Sequence, residues 1–250
     1  MARALAFLSD TALFFLLTVP LTLYMTANPQ GLWRVLPCAL LALVRGYVPA
    51  KASSQVDVFK AAKVVSSLLA VVVVNSSQLG FGSSHAVVVT VLGVNMLEAA
   101  LTDLCVSGLP NALCGSLLVL FLANQPLSFH NEQGPLFLVP LTWPWVALYT
   151  TWNGAFCYGV GFAWSFRLVL VTPLLVTMML DEPEAWLGAR TYSLVLVQVL
   201  RGSQFTHIFT PGQSYITKPE GAPSTHQAWR AAWGFANVTA VAACWWAGWV

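Results

Sequence analysis

Long apolar runs separated by short, turn-rich breaks follow one another along the whole chain. A helix crosses the hydrocarbon core of a bilayer with about 20 predominantly apolar residues. Runs of that kind fall at 4–27, 32–50, 58–79, 85–106, 109–124, 136–158, 161–180, 190–209 and 229–249. The breaks carry turn chemistry: Asn28-Pro29-Gln30-Gly31, Gly80 to Gly82, Gly108-Leu109-Pro110-Asn111, Asn124-Gln125-Pro126 and Asp181-Glu182-Pro183-Glu184. The second and fifth runs are short and the turn at Gly159 and Gly161 is weak, so the pattern predicts about nine spans within a range of seven to nine. A β-barrel needs segments that alternate apolar and polar residues, and Val71-Val72-Val73-Val74 and Val87-Val88-Val89 do not alternate. The predicted fold is all-α, a polytopic transmembrane helical bundle forming a single domain over 1–250.

Composition narrows the picture further. Of 250 residues, 58% are hydrophobic and 8% charged, against about 25% charged in an ordinary soluble domain. So few charges cannot cover a water-soluble surface of this size, which excludes a soluble enzyme, a nucleic-acid binder and a disordered chain. The predicted partner is the lipid bilayer, with no nucleic acid. The net charge of +2 is too balanced to imply an anionic macromolecule.

The basic residues orient the spans. With the N-terminus in the cytoplasm, Arg3, Arg45, Lys51, Lys60, Lys63, Arg167, Arg201, Lys218 and Arg230 fall on or near the inner side, leaving Arg34 and Arg190 outside, as the positive-inside rule expects. The longest connection, 211–227, is rich in Pro, Gly, Ser and Thr and is predicted to be a cytoplasmic loop. The first run is too long for the apolar region of a signal peptide and is broken by Asp10, so it reads as a retained membrane helix.

Five cysteines (Cys38, Cys105, Cys114, Cys157, Cys244) lie in apolar runs without C-x-x-C spacing, and His85, His130, His207 and His226 fall in separate regions. No metal or cofactor is predicted from them. Asn75-Ser76-Ser77 and Asn237-Val238-Thr239 match the glycosylation pattern, but the first lies against the membrane and the second inside a span.

Ionisable and amide groups inside spans are costly and usually line a bundle interior or a cavity. In the fourth span Asn95 and Glu98 share a helix face, extended by Thr102, whereas Asp103 points about 140° away from Glu98 at 100° per residue and sits at the inner end. A carboxyl near the bilayer middle suits a proton carrier, a cation site or a general acid; the bland alternative is a polar clasp between Glu98 and an Arg of another span. In the sixth span Trp145, Tyr149, Trp152 and Phe156 form a stripe at i, i+4, i+7 and i+11 with Asn153 beside it. That stripe is either an aromatic-walled pocket or ordinary packing, the second being favoured. Arg201 in the eighth span, on a face with Gln198, is a candidate counter-ion for Glu98. Asp57, Lys60 and Lys63 read as a membrane-surface anchor.

The elements N-x-L-E-A-x-x-x-D (Asn95, Leu97, Glu98, Ala99, Asp103), Y-x-x-W-N-x-x-x-x-Y (Tyr149, Trp152, Asn153, Tyr158) and W-L-x-x-R-T-x-x-L (Trp186, Leu187, Arg190, Thr191, Leu194) together resemble an uncharacterised family of bacterial multi-pass membrane proteins over about residues 90–200. The resemblance nominates Asn95, Glu98, Trp152, Asn153 and Arg190 without assigning chemistry. Where that family often has an Asp before the W-N pair this chain has Thr150 and Thr151, so no acid role carries over there. The N-x-x-E of Asn95 and Glu98 is also similar to an element of small membrane-embedded fungal terpene cyclases, with Leu97 where those have Trp.

Three functions follow as alternatives. A small transporter or channel would handle a cation, a proton or a small polar solute at Asn95, Glu98, Tyr149, Trp152, Asn153 and Arg201. A membrane-embedded enzyme acting on a lipid or isoprenoid would use Glu98 as general acid. An accessory subunit of a membrane complex, or a homo-oligomer, would use its intramembrane polar groups as glue between helices.

Overall fold

The computed structural model describes residues 2–27, 84–105, 108–124, 141–159, 164–201 and 223–248. They form seven α-helices: α1 (Ala2–Ala27), α2 (Ser84–Cys105), α3 (Leu109–Asn124), α4 (Trp143–Gly159), α5 (Trp164–Leu180), α6 (Trp186–Arg201) and α7 (Pro223–Trp246). A single 3-10 turn, Pro183–Ala185, joins α5 to α6. The fold is all-α, and no strand occurs among the described residues. Seven of the nine predicted runs contain these helices; the runs 32–50 and 58–79 lie outside the described residues, together with Asp57, Lys60 and Lys63.

Three predicted boundaries are corrected. Within the run 136–158, Leu141 and Thr142 are not helical and the helix starts at Trp143, because the Thr142 hydroxyl accepts the Trp145 backbone N–H at 3.4 Å as an N-cap and Pro144 sits in the first turn, where a missing N–H costs nothing; residues 136–140 lie outside the described residues. The run 190–209 starts earlier, at Trp186, because the 3-10 turn feeds straight into it. Residues 223–227, assigned to the cytoplasmic loop, are the first turns of α7; Pro223 opens the helix, a position its fixed φ suits. The rest of that loop lies outside the described residues.

The break at Asp181-Glu182-Pro183 folds as its composition predicts. Asp181 takes a left-handed conformation (φ 55), the Glu182 N–H reaches the Thr177 carbonyl, and the Asp181 N–H reaches the Met178 carbonyl, both at 3.3 Å. This is a Schellman cap with Asp where Gly usually stands. Asp181→Val is expected to lower stability by about 1–2 kcal/mol, the strain of a left-handed L-residue, while Asp181→Gly is tolerated; thermal unfolding of the two variants checks it.

α4 lies at the centre. It contacts α3, α7 and α2 on one side and α5 on the other, while α5, α6 and α1 pack on one another. The core is correspondingly built around α4, with Trp145, Val146, Trp152, Phe156 and Cys157 buried against Leu118, Leu122, Trp186 and Leu187.

Inward and outward faces are unusual in what they carry. On α2, Met96, Ala99, Ala100 and Asp103 face inward, and Val94, Leu97, Leu101 and Leu104 are exposed. On α1, Phe14, Thr18, Thr22 and Thr26 are buried, whereas Leu13, Leu16 and Tyr24 are exposed. Hydroxyls in the bundle bond back to their own helix: Thr26 to the Thr22 carbonyl at 2.7 Å, Thr150 to Val146 at 2.8 Å, Thr177 to Pro173 at 2.6 Å and Thr191 to Leu187 at 2.9 Å, a local solution to a lack of other partners. The Thr18 and Thr172 hydroxyls join α1 to α5 at 3.1 Å. Among the described residues no helix is long and apolar enough to cross a membrane.

Candidate functional site

Four helices bring polar side chains to one buried point. Asp103, near the C-terminal end of α2, is 0% exposed. Its Oδ1 accepts Arg230 Nη2 of α7 at 2.9 Å, an ion pair as well as a hydrogen bond. Its Oδ2 accepts Asn111 Nδ2 of α3 at 2.6 Å. Asn111 in turn shares that amide N–H₂ with the Trp152 carbonyl of α4 at 3.3 Å, accepts the Trp152 indole N–H on its own carbonyl at 2.8 Å, and accepts Asn237 Nδ2 of α7 on Oδ1 at 3.4 Å.

Small residues make this approach feasible. The start of α3 is tied to α2 by the Gly108 N–H to the Asp103 carbonyl at 2.7 Å. A Cβ on Gly115 would lie 2.6 Å from the Trp152 ring, and one on Gly234 would lie 2.9 Å from the Asn111 backbone nitrogen. Arg230, Gly234, Asn237 and Val241 recur at i, i+4, i+7 and i+11 and form the inner stripe of α7; Asn111, Gly115, Leu118 and Leu122 do the same on α3. The ends that meet are the C-terminal halves of α2 and α4 and the N-terminal halves of α3 and α7, so α2 and α4 run opposite to α3 and α7.

Chemically, the cluster is a closed clasp. Both Asp103 oxygens accept a hydrogen bond, its charge is matched and the side chain is fully buried, so it joins the helices and is not open to a ligand from solvent. A pair of this kind stabilises only while both members are present.

The residues singled out from the sequence are placed as follows. Asn95 and Glu98 are half-buried on α2, and the Glu98 carbonyl accepts the Thr102 hydroxyl at 2.8 Å. Asp103 is the acid that the described residues show clasped by an arginine. Arg201 ends α6, and its side chain, like that of Gln198, lies outside the described residues. Asn153 is buried and donates to the Tyr149 hydroxyl at 3.1 Å, while the Cys157 thiol meets its carbonyl at 3.5 Å. Asn237, the second glycosylation match, is buried in the clasp; Asn75 lies outside the described residues. Cys114, Cys157 and Cys244 are free thiols.

The aromatic stripe of α4 packs as core. Trp145 stacks on Tyr149 at 5.3 Å, Tyr149 meets Trp152 edge-on at 5.4 Å, and Trp186 of α6 meets Tyr149 at 4.5 Å and Trp145 at 5.4 Å, both edge-on. Trp145, Tyr149, Trp152 and Phe156 are all buried, and the ring faces are spent on one another. On α4, α6 and the turn before α6, however, several buried polar atoms have no hydrogen-bond partner: Trp145 Nε1, Trp186 Nε1, Arg190 Nε and Nη1, Tyr192 Oη and Glu182 Oε2.

Sequence reasoning missed Asn111, Arg230 and Asn237 as members of one site. Each was visible separately, as a turn residue, an inner-side cation and a glycosylation match. The usable signal was depth: Asp103 and Arg230 are both expected at the inner end of the bundle, where opposite charges in an apolar medium attract strongly. Among the described residues no three His, Cys, Asp or Glu side chains cluster as metal ligands. The fold and clasp define an all-α bundle locked by a buried ion pair, and no known protein family, curated protein or solved structure matches the chain.

Proposed function

We propose that the protein is a multi-pass membrane protein with its N-terminus in the cytoplasm, and that it is a small transporter or channel for a cation, a proton or a small polar solute at Asn95 and Glu98. The membrane reading is supported by the outer faces of α1 and α2, which expose Leu, Val and Tyr while Thr, Ala and Asp lie inward beside Phe14, Met25 and Met96. A contiguous apolar surface of that kind is rare on monomers in water and ordinary in lipid. The helices α3, α4 and α5, at 16 or 17 residues, reach about 24–26 Å at 1.5 Å per residue. Segments shorter than the hydrocarbon core are accommodated by local thinning of the bilayer or by association. The opposed directions of α2 and α4 relative to α3 and α7 fit successive crossings.

One observation carries the transport reading. Of the two acids on α2, Asp103 is sealed, whereas Glu98 is half-buried one turn from the half-buried Asn95. A group that exchanges a solute has to be reachable, and Glu98 meets that condition where Asp103 does not. The reading as an accessory subunit draws on the clasp itself, which is interhelical glue of the kind that assembles bundles. The embedded-enzyme reading has less support, because the rings that would stabilise a developing cation pack on one another.

Glu98→Gln keeps the shape and removes the carboxylate. In proteoliposomes carrying proton, sodium or potassium gradients, the variant is expected to lose at least about tenfold in flux, the effect of about 1.4 kcal/mol, with the melting temperature unchanged. Equal flux in variant and wild type sinks the Glu98 assignment. Absence of flux in the wild type, with partners copurifying, transfers the case to the accessory reading.

A further inference from the structure

Four buried N–H-bearing atoms with no acceptor lie on three side chains, one of α4 and two of α6: Trp145 Nε1, Trp186 Nε1, Arg190 Nε and Arg190 Nη1. Trp186 and Arg190 are four residues apart on α6 and share a face. The Trp186 ring meets Tyr149 and Trp145 of α4, which turns that face toward α4. Arg190 is only 7% exposed, and its guanidinium stays charged at any physiological pH. A buried charge without a counter-charge costs several kcal/mol, so the fold holds Arg190 at a cost unless something arrives to offset it.

The described acids do not offset it. Asp103 is consumed by Arg230 and Asn111 at the clasp, and Trp145 stands seven residues from Trp152, about 10 Å along α4. Glu182, Glu184 and Asp181 head α6, yet none forms an ion pair with Arg190, and the buried Glu182 Oε2 is itself without a partner. Of the neighbouring hydroxyls, Thr191 bonds the Leu187 carbonyl and Ser193 the Arg190 carbonyl, while the buried Tyr192 hydroxyl has no partner and carries no charge. Every unmatched nitrogen at this interface is a donor, and one of the side chains is a cation. The unmatched oxygens Glu182 Oε2 and Tyr192 Oη bond none of these nitrogens, and an acceptor that carries negative charge would match them.

We propose that the α4–α6 interface is a binding site for a carboxylate or phosphate group, held by the Arg190 guanidinium with the Trp186 and Trp145 indole N–H groups as further donors. Charge-assisted bonds from arginine to such oxygens are the strong class of hydrogen bond, and indoles donate without competing as acceptors. The same chemistry is offered by a soluble anion and by the headgroup of an anionic lipid. The lipid source rests on the membrane reading; the soluble source does not.

The test uses the full-length protein in nanodiscs, as wild type, Arg190→Met and Trp186→Phe. Phosphatidylcholine discs receive sodium phosphate or sodium acetate against sodium chloride at equal ionic strength, and a second set contains phosphatidylglycerol. Melting temperature and the phosphatidylglycerol retained after detergent washing are read. The wild type is expected to be stabilised by at least one probe, with Arg190→Met losing at least about tenfold in apparent affinity, equivalent to about 1.4 kcal/mol. Trp186→Phe keeps the ring, loses one donor and falls in between, and it decides the matter if Arg190→Met does not fold. Stabilisation by phosphate or acetate in phosphatidylcholine discs assigns a soluble anion; a response to phosphatidylglycerol alone assigns a headgroup. Failure of every probe to stabilise the wild type, or equal responses in the wild type and the variants, overturns the site. A carbonate wash that strips the protein from membranes overturns the membrane reading alone, since the phosphate and acetate titrations still judge the site.

Discussion

Arg230→Met is expected to cost about 3–5 kcal/mol of stability, the range for removing one member of a buried ion pair. The methionine fills most of the space, so the loss comes from Asp103, which remains fully buried with one oxygen on Asn111 and the other facing no charge. Asp103→Asn in the wild-type background takes the carboxylate from the arginine in turn, but Arg230 keeps some access to solvent (its side chain is 15% exposed), so the loss is smaller. The double variant Asp103→Leu with Arg230→Met removes both charges together. It is expected to recover most of the stability, because apolar replacements of buried ion pairs are often neutral or stabilising. Unfolding followed by circular dichroism measures all of these. A loss under about 1 kcal/mol for Arg230→Met would mean that the α2–α7 ion pair is not formed.

Trp152→Ala is expected to be about as damaging, at about 3–5 kcal/mol for emptying a fully packed indole site. The side chain fills the gap between α3 and α4, lies flat over Gly115, and donates the N–H that satisfies the Asn111 carbonyl. Trp152→Phe separates these contributions: the ring plane survives, the donor goes, and the expected cost falls to about 1–3 kcal/mol for the carbonyl left unmet. Gly115→Ala approaches the same contact from the other side and is expected to cost about 1–3 kcal/mol through overpacking. Because the two positions touch, Gly115→Ala in the Trp152→Phe background is expected to cost less than the sum of the two single changes, as coupled neighbours do. Strict additivity in the unfolding data would mean that α3 and α4 do not meet at Gly115.

Local chemistry was legible in the sequence; convergence was not. The α3 boundaries follow directly from the Gly108-Leu109-Pro110-Asn111 break and the Asn124 end, because the turn residues there act on their own neighbours. The α4 stripe of Trp145, Tyr149, Trp152 and Phe156 reads as one buried face, since helical spacing alone puts those residues on one side. Hydropathy is blind, however, to the inner stripes of α3 and α7. Both helices are apolar on most sides, so a few small and amide residues do not stand out by period. The clasp needs Asp103, Asn111 and Arg230 to meet from three helices, and nothing along the chain encodes which helices are neighbours. The angular argument set Asp103 apart from Glu98, and the structure gives Asp103 the buried ion pair with Arg230. Asn237 shows the same limit, since its surroundings match a glycosylation pattern while its side chain belongs to the core.

The ion pair of α2 and α7 also has a meaning in time. Its two members are separated by 127 positions in the chain, which at about 5–20 residues per second is about 6–25 s of synthesis. Throughout that interval Asp103 has been made and its cation has not. The nascent protein therefore carries an unneutralised acid until its last described helix arrives, and a chain halted before Arg230 keeps that acid permanently. The bond that locks the bundle thus also distinguishes chains that reach Arg230 from those halted between Asp103 and Arg230, which keep the acid without its arginine.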